Sequence, residues 1–269
     1  MHQRTPGSGG DFPQAPTQEE WEALSDEARK RVVASLPGEV TEAEMSPPEG
    51  DRHFQAKVRA LDTLRGYFVR QRRRVYLAAE LPVYYPDARR FAPDLLAVLD
   101  VDPHERDKWV VSSEGKGLDF VLEVHVGGDR KKDAEENVAR YARFGIPEYF
   151  IYDRGRQRLL GYRLPSLEAR VYVPVVPQHG GYSSERLGLE LRIEDDRLRF
   201  YAGSALLLES EELISRLEHM VEGLQQRAEE EARRAEEEAR KAEEEARRRQ
   251  EAEQRVAELQ AELDRLKGR

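Results

Sequence analysis

Two carboxylates, Asp94 and Glu123, stand in segments that otherwise consist of apolar residues typical of buried strands. Asp94 precedes the run Leu-Leu-Ala-Val-Leu, and Glu123 interrupts Phe-Val-Leu-Glu-Val-His-Val. An ionised carboxylate is costly to bury without a partner. Two of them at strand positions therefore indicate either structural acids held in salt bridges or a cation that both acids share, and we favour the shared cation.

The spacing around the second acid supports this interpretation. Successive side chains of a strand point to opposite faces, so Glu123 and His125 share one face and Val124 lies on the other. An Asp on one strand, followed by Glu-x-Lys on the next, resembles the core of the PD-(D/E)XK nucleases. Here Pro93-Asp94 and Glu123-Val-His125 match that pattern except at the last position, where histidine replaces lysine.

A longer stretch resembles a narrower group, the restriction endonuclease family often called Uma-two. The resemblance runs from roughly Thr17 to Tyr201, and the block from Glu123 to Asp153 is its most specific part. That block contains the segments Asp129-Arg-Lys-Lys-Asp133, Tyr141-Ala-Arg-Phe-Gly145 and Tyr152-Asp153. The resemblance implies an α/β domain of the restriction-endonuclease type, with a mixed sheet flanked by helices.

The same resemblance implies metal-assisted hydrolysis of phosphodiester bonds in nucleic acid, with DNA favoured. Asp94, Glu123 and the backbone carbonyl of Val124 are the expected ligands of Mg²⁺ or Mn²⁺, hard cations that prefer oxygen. A metal at this place lowers the pKa of a bound water and neutralises charge that builds on the phosphate. His125, or a lysine from the pair Lys131 and Lys132, is expected to orient that water.

Four further residues are candidates for the site, each with a structural alternative. Glu80 precedes Asp94 by one strand and is either a third acid or an ordinary edge-strand carboxylate. His53 begins a helix where the resembled family also carries a histidine, although such a residue is commonly a cap or a surface side chain. Tyr141 and Asn137 share one face of the helix after Glu123, and Asn137 stands where the family usually carries a lysine.

Both expected lysine positions are therefore occupied by other residues. The alternative function is a catalytically impaired protein that keeps the nuclease fold and serves as a nucleic-acid-binding or coiled-coil interaction module. A cationic side chain within hydrogen-bonding distance of the Asp94 and Glu123 pair would separate the two hypotheses.

Composition bounds the class of protein but does not decide the partner. The 269 residues carry a formal net charge of -9 and no cysteine, so the chain has no disulfide framework and no thiolate metal site. The sequence shows no signal peptide and no apolar run long enough to cross a bilayer, which predicts a cytoplasmic protein without a membrane partner. An acidic total does not exclude a nuclease with a local basic patch.

The charge and apolar patterns divide the chain into three parts. Residues 1–16 are rich in Gly, Pro, Ser and Gln and are predicted to be disordered, and residues 17–208 form the nuclease-like domain. A capping box, Thr17-Gln-Glu-Glu20, predicts one helix that runs to Leu36. A second helix is predicted to bury the stripe formed by Phe54, Val58, Leu61, Leu64 and Phe68.

Residues 209–269 are predicted to form a long charged helix or coiled coil. Its middle repeats the heptad Ala-Glu-Glu-Glu-Ala-Arg-Arg/Lys, in which Glu and Arg recur at i and i+4, as at Glu243 and Arg247. Leucine-rich segments, Leu213–Leu224 and Val256–Leu266, flank this alanine seam. Because alanine buries little surface, a homodimer through this helix would depend on the two ends. The alternative is a single charged helix that acts as a spacer.

Overall fold

The computed structural model describes residues 13–39, 50–127 and 131–267, without the side chains of residues 131–134, 266 and 267. The chain divides into two compact units between Glu209 and Ser210. This division lies one residue after the boundary predicted from the change in composition.

The first unit contains helices and strands in alternation, and the second unit is one helix. The elements are α1 (Gln18–Glu22), α2 (Asp26–Ser35), α3 (Gly50–Arg70), β1 (Val75–Ala78), β2 (Val83–Tyr84), β3 (Leu95–Leu99), β4 (Trp109–Val110), α4 (Val111–Glu114), β5 (Phe120–His125), α5 (Lys131–Arg143), β6 (Glu148–Asp153), β7 (Arg158–Arg163), β8 (Val173–Pro174), β9 (Tyr182–Ser184), β10 (Leu189–Glu194), β11 (Arg197–Ala202), β12 (Ala205–Leu206) and α6 (Ser210–Lys267).

A six-stranded mixed sheet forms the centre of the first unit, with the order β1-β3-β5-β6-β7-β8. Strands β5 and β6 are parallel, whereas β3 pairs with β5 and β7 pairs with β6 in antiparallel fashion. Two parallel neighbours need a crossover connection, and α5 supplies it. The predicted α/β fold with a mixed sheet is confirmed.

Both faces of the sheet are covered, which explains why all five residues of β3 are buried. On one face, Leu64 of α3 packs in a cluster with Leu122 of β5 and Leu191 of the four-stranded sheet β12-β11-β10-β9. On the other face, Tyr141 of α5 packs in a cluster with Val121. Alternate residues of β5 therefore belong to different apolar layers.

The amino-terminal helix differs from the sequence prediction. The capping box is present, since the Glu20 amide donates to Thr17 Oγ1 at 3.1 Å and the Thr17 amide donates to Glu20 Oε2 at 2.9 Å. The helix ends at Glu22, and a second one begins at Asp26, where Ser25 accepts a hydrogen bond from the Ala28 amide. Ser25 is a strong helix N-cap, so it starts a new helix inside the predicted one.

The prediction of disorder over residues 1–16 is wrong at the end of that range. Gln14 and Ala15 form isolated β-bridges with Arg89 and Pro86, and Ala15 is 5% exposed. A small apolar residue here is held by backbone pairing, which composition alone does not reveal. Residues 1–12 lie outside the described residues.

The second unit is the 58-residue helix α6, as the heptad pattern predicts. Ion pairs one turn apart join Arg248 to Glu244 at 2.7 Å and Arg247 to Glu251 at 3.5 Å, so Arg247 does not pair with its predicted partner Glu243. Among the described helices of both units, none has the length and apolar character that crossing a membrane requires.

Candidate active site

Asp94 and Glu123 meet where strands β3 and β5 separate. The antiparallel pairing of these strands ends at Leu95 and Leu122, the neighbours of the two acids. Beyond that point side chains replace the backbone ladder: the Val124 amide donates to Asp94 Oδ2 at 2.8 Å, and the Asp94 amide donates to Glu123 Oε2 at 3.3 Å. The structure thus brings together the two acids that the sequence singled out.

A histidine from α3 completes one side of the pair. His53 Nε2 lies 3.0 Å from Asp94 Oδ1, and both side chains are 12% exposed. Of the four additional candidates, His53 therefore contacts the acid pair directly. A cation-capable group at the carboxylates thus comes from α3, the helix before the sheet.

A tyrosine from α5 completes the other side. The Tyr141 hydroxyl donates to Glu123 Oε1 at 2.9 Å, and the tyrosine is 2% exposed. Its ring meets that of Tyr149 edge to face, with the centroids 4.9 Å apart. Each of the four carboxylate oxygens thus has a protein partner, which fixes the orientation of both acids.

The two carboxyl groups have pKa values that move in opposite directions. Burial raises the pKa of Asp94, but the hydrogen bond and charge of His53, together with the Val124 amide, outweigh burial and lower it overall. For Glu123, burial and then the negative charge of Asp94 raise the pKa well above its ordinary value, against the hydrogen bond from Tyr141. The site therefore holds one negative charge readily, and a second one calls for a proton or a cation.

This opposition predicts how stability depends on pH in metal-free protein. The folded pKa of Glu123 lies above its ordinary value of 4.5, so the folded state holds the Glu123 proton more tightly than the unfolded state does. The stability that results is fully present below pH 4.5 and is lost as the pH rises through the folded pKa. We expect the free energy of unfolding of the wild type to fall relative to that of Glu123→Gln as the pH rises above the ordinary glutamate pKa of 4.5. Urea denaturation with a chelator at each pH measures this difference.

The matched control is Glu27→Gln, which changes an exposed glutamate of α2 and should follow the wild-type curve. The pKa of Asp94 is lowered, so Asp94 changes the free energy of unfolding only below its ordinary pKa of 3.8, which is outside the pH range of this experiment. Parallel curves for wild type and Glu123→Gln would contradict a raised pKa at Glu123.

Glu80 lies beside the pair but has a partner of its own. Its amide donates to the Pro93 carbonyl at 2.9 Å, and its carboxylate forms an ion pair with Lys57 of α3. Its backbone has a φ of +53°, so Glu80 sits in a turn and the edge-strand alternative is wrong. Lys57 is 5% exposed and was not among the predicted site residues.

The face of α3 that carries these residues was predicted incorrectly at its amino-terminal end. Phe54 and Val58 were assigned to the buried stripe, yet they are 56% and 39% exposed. His53 and Lys57 instead continue the stripe of Leu64, since positions i, i+4 and i+11 fall on one side of a helix. A histidine and a lysine spaced by four, in line with an apolar stripe, are the signal that could have identified both.

The roles of the remaining predicted residues stay predictions. His125 lies two residues beyond Glu123 on the same strand face and is partly buried, and its carbonyl accepts a hydrogen bond from the Arg154 amide at 2.7 Å. Asn137 is partly buried one turn before Tyr141 on α5. The side chains of Lys131 and Lys132 lie outside the described residues.

The family of the chain follows from a comparison with family models. The model described as "Uma2: Putative restriction endonuclease" matches residues 18–194, well over half of the chain. The chain belongs to the Uma2 family. The matched range contains His53, Asp94, Glu123 and Tyr141, so the site lies within the part that defines this Uma2 protein, and the predicted resemblance is confirmed.

Other comparisons add little to this assignment. A solved structure from Anabaena variabilis, described as a putative nuclease belonging to DUF820, superposes with a TM-score of 0.43 and 14% sequence identity. The superposition covers 58% of this Uma2 chain and 89% of that chain. No curated protein matches the chain.

Proposed function

We propose that this Uma2 protein is a metal-dependent endonuclease that hydrolyses phosphodiester bonds in nucleic acid, with DNA as the favoured substrate. The observation that carries the proposal is the partly buried pair of Asp94 and Glu123, which is held by hydrogen bonds to the Val124 and Asp94 amides and in which burial, and then the charge of Asp94, raise the pKa of Glu123. The family match, which names restriction endonucleases, supports the same chemistry.

The residues at the pair fit a divalent cation. Two partly buried carboxylates offer hard oxygen ligands, and their mutual repulsion makes a positive charge favourable between them. The described residues contain no group of three or more His, Asp or Glu side chains arranged to hold a metal, so water would supply other ligands. Mg²⁺ suits such a site because it commonly keeps several waters and uses one or two carboxylates.

Asp94 and Glu123 would hold Mg²⁺ or Mn²⁺, with the carbonyl of Val124 as the proposed third ligand. When bound, the cation would supply a water of lowered pKa and a positive charge beside the phosphate. The hydrogen bonds from Tyr141 and the Val124 amide keep the carboxylates oriented before substrate arrives. Orientation by such supporting contacts commonly affects metal affinity or activity by about 10- to 100-fold.

His53 is the residue that we place next to the attacking water. When the Nε2–H group of a neutral His53 donates a hydrogen bond to Asp94 Oδ1, Nδ1 keeps a lone pair that can accept a proton from water. The water oxygen would then bond to phosphorus, the ester bond to the leaving oxygen would break, and the leaving oxygen would take a proton from solvent. His125, Lys131 and Lys132 remain proposed partners of the same water.

Positive groups at the edge of the site suit a polyanionic substrate. The Arg154 guanidinium donates to the carbonyl of Arg52 at 2.6 Å, and Arg52 directly precedes His53 on α3. Arg154 follows the end of β6, so this contact joins the helix that carries His53 to the sheet that carries Glu123. Guanidinium groups at this place can bind backbone phosphates, which supply most of the affinity of proteins for DNA.

A catalytically impaired nuclease fold is the second candidate, and one observation favours it. Within the described ranges, no lysine forms an ion pair with Asp94 or Glu123, and the ammonium of Lys57 on α3 pairs with Glu80 instead. His53 then remains as the group that separates the hypotheses. Absence of cleavage of single- and double-stranded DNA and RNA, with Mg²⁺ and with Mn²⁺, would favour a non-catalytic binding module.

Metal binding predicts a thermal shift that does not depend on activity. A ligand that binds only the folded state at about 100 times its Kd stabilises that state by about 2.7 kcal/mol, which raises the Tm of a domain of this size by roughly 5–10 °C. We expect Mg²⁺ or Mn²⁺ to produce this shift in the wild type and not in Glu123→Ala. Scanning calorimetry with metal and with chelator measures it.

Glu80→Ala is the matched control, because Glu80 lies beside the pair but is bound to Lys57. This variant should keep the metal-induced shift. If it loses the shift as Glu123→Ala does, Glu80 is a third ligand. A wild-type Tm that metal leaves unchanged would contradict the metal site and identify Glu123 as a structural acid.

A further inference from the structure

Helix α6 carries two apolar patches that nothing within its own unit covers. The amino-terminal patch consists of Ile214, Leu217, Val221 and Leu224, and the carboxyl-terminal patch consists of Val256, Leu259 and Leu263. These side chains are between 49% and 57% exposed. Within each patch the spacing alternates between three and four residues, which is the a and d pattern of a coiled coil.

The two patches share one heptad register. Ile214 and Val256 are six heptads apart, so both are a positions, and Leu217 and Leu259 are d positions for the same reason. A straight helix turns this seam by about 20° per heptad, and supercoiling around a partner removes the drift. Both patches can therefore face one partner helix along the whole length of α6.

The middle of the seam carries charges that decide how a partner is oriented. In the register that both patches share, its a positions are Ala228, Ala235, Ala242 and Arg249, and its d positions are Glu231, Glu238, Glu245 and Ala252. The other alanines of the repeat, Ala232, Ala239 and Ala246, lie beside them at e positions. A parallel second copy would place each residue against itself. Three Glu–Glu contacts and one Arg–Arg contact would then lie in the seam, where desolvation makes like charges costly.

An antiparallel second copy pairs a positions with d positions and removes these contacts. Centred on Arg240, it places Glu231 against Arg249, Glu238 against Ala242 and Glu245 against Ala235. The large apolar residues match as well, because Leu217 then meets Leu263, Val221 meets Leu259 and Leu224 meets Val256. By sequence, Ile214 meets Leu266 in the same alignment.

The positions that flank the seam disfavour an antiparallel pair, but only weakly. Basic residues would face one another there, as in Arg227 with Arg255 and Arg234 with Arg248. Charges at an exposed rim interact by about 0.2–1 kcal/mol and are screened by salt, whereas like charges in the seam lose their hydration. The seam therefore decides the orientation.

We propose that α6 binds a second copy of this chain as an antiparallel two-stranded coiled coil. The two chains enter the coiled coil at opposite ends, roughly 80 Å apart at about 1.5 Å per residue. This proposal does not depend on the nuclease function, since it rests on α6 alone.

The absence of cysteine from the sequence makes disulfide mapping a direct test. Full-length Leu217→Cys and Leu263→Cys are prepared separately, one of them labelled with ¹⁵N, then mixed under reducing conditions and oxidised. We expect a mixed disulfide, identified by intact mass, and little disulfide dimer from either variant alone. Gln226→Cys, on the outward face of α6, is the control and should not cross-link.

Two outcomes would overturn the proposal. Efficient disulfide formation by Leu217→Cys alone would show a parallel pair. Light scattering on the unmodified chain must give the mass of a dimer at high micromolar concentration, and a monomer there would rule out the coiled coil and leave a spacer helix. Neither measurement uses cleavage, so a failed nuclease assay leaves this test intact.

Discussion

Glu123→Gln is expected to reduce phosphodiester cleavage by at least about 1000-fold while the domain stays folded. Metal-assisted charge stabilisation contributes several kcal/mol to a transition state, and each 1.36 kcal/mol is about tenfold in rate. Glutamine keeps an oxygen that can accept the Tyr141 hydroxyl bond, so the local packing is preserved. Cleavage of a fluorescent DNA duplex with Mg²⁺ or Mn²⁺ measures the loss.

The matched control for this variant is Glu148→Gln. Glu148 is another buried strand glutamate, 1% exposed, but it pairs with Arg163 at 3.1 Å and is bonded to Ser184. It is expected to alter stability more than cleavage. If Glu123→Gln cleaves as fast as the wild type, the acid pair is not the catalytic centre.

His53→Ala is expected to slow cleavage by about 100- to 10,000-fold, the range typical of a lost general base. The limb of the pH–rate profile that reports the base should also disappear, since no imidazole remains on Asp94 to accept the proton. Cleavage rates at saturating metal across the pH range test both effects. The expected result assigns the role to α3, and not to the strand position where lysine was anticipated.

His125→Ala provides the comparison, because it removes the histidine that the strand pattern singled out. A larger loss in His125→Ala than in His53→Ala would return the water-orienting role to β5. Equal and complete loss in both would indicate that the two imidazoles act together. A normal pH profile in His53→Ala would make His53 a structural partner of Asp94.

The acid pair is recognisable in the amino-acid sequence because strands impose a period of two. A carboxylate inside an apolar run is conspicuous, and Glu-x-His places two polar side chains on one face of β5. The parallel crossover from β5 through α5 to β6 also follows from the order of strand, glycine turn, helix and strand. These are local patterns, and the sequence contains them completely.

The partners of the acids are harder to find because their selection depends on how α3 packs. Its sequence offers two stripes, one through Phe54 and Val58 and another through His53 and Lys57, which both converge on Leu64. Hydrophobicity alone favours the first stripe. The sheet instead presents Asp94 and Glu80 to the second, so that His53 contacts Asp94 and Lys57 forms an ion pair with Glu80. Phe54 and Val58, which were predicted to be buried, are exposed.

The sequence by itself determined the acid pair and the long helix, because the period of two in a strand and the spacing of charges along a helix are properties of neighbouring residues, whereas the mixed sheet was implied by the family resemblance. Only the tertiary structure decided that His53 contacts Asp94, that Tyr141 donates a hydrogen bond to Glu123 and that Lys57 forms an ion pair with Glu80. Those contacts join residues 18 to 41 positions apart. Their formation depends on the rotation of α3 and α5 against the sheet, which is set by packing between layers and not by local pattern.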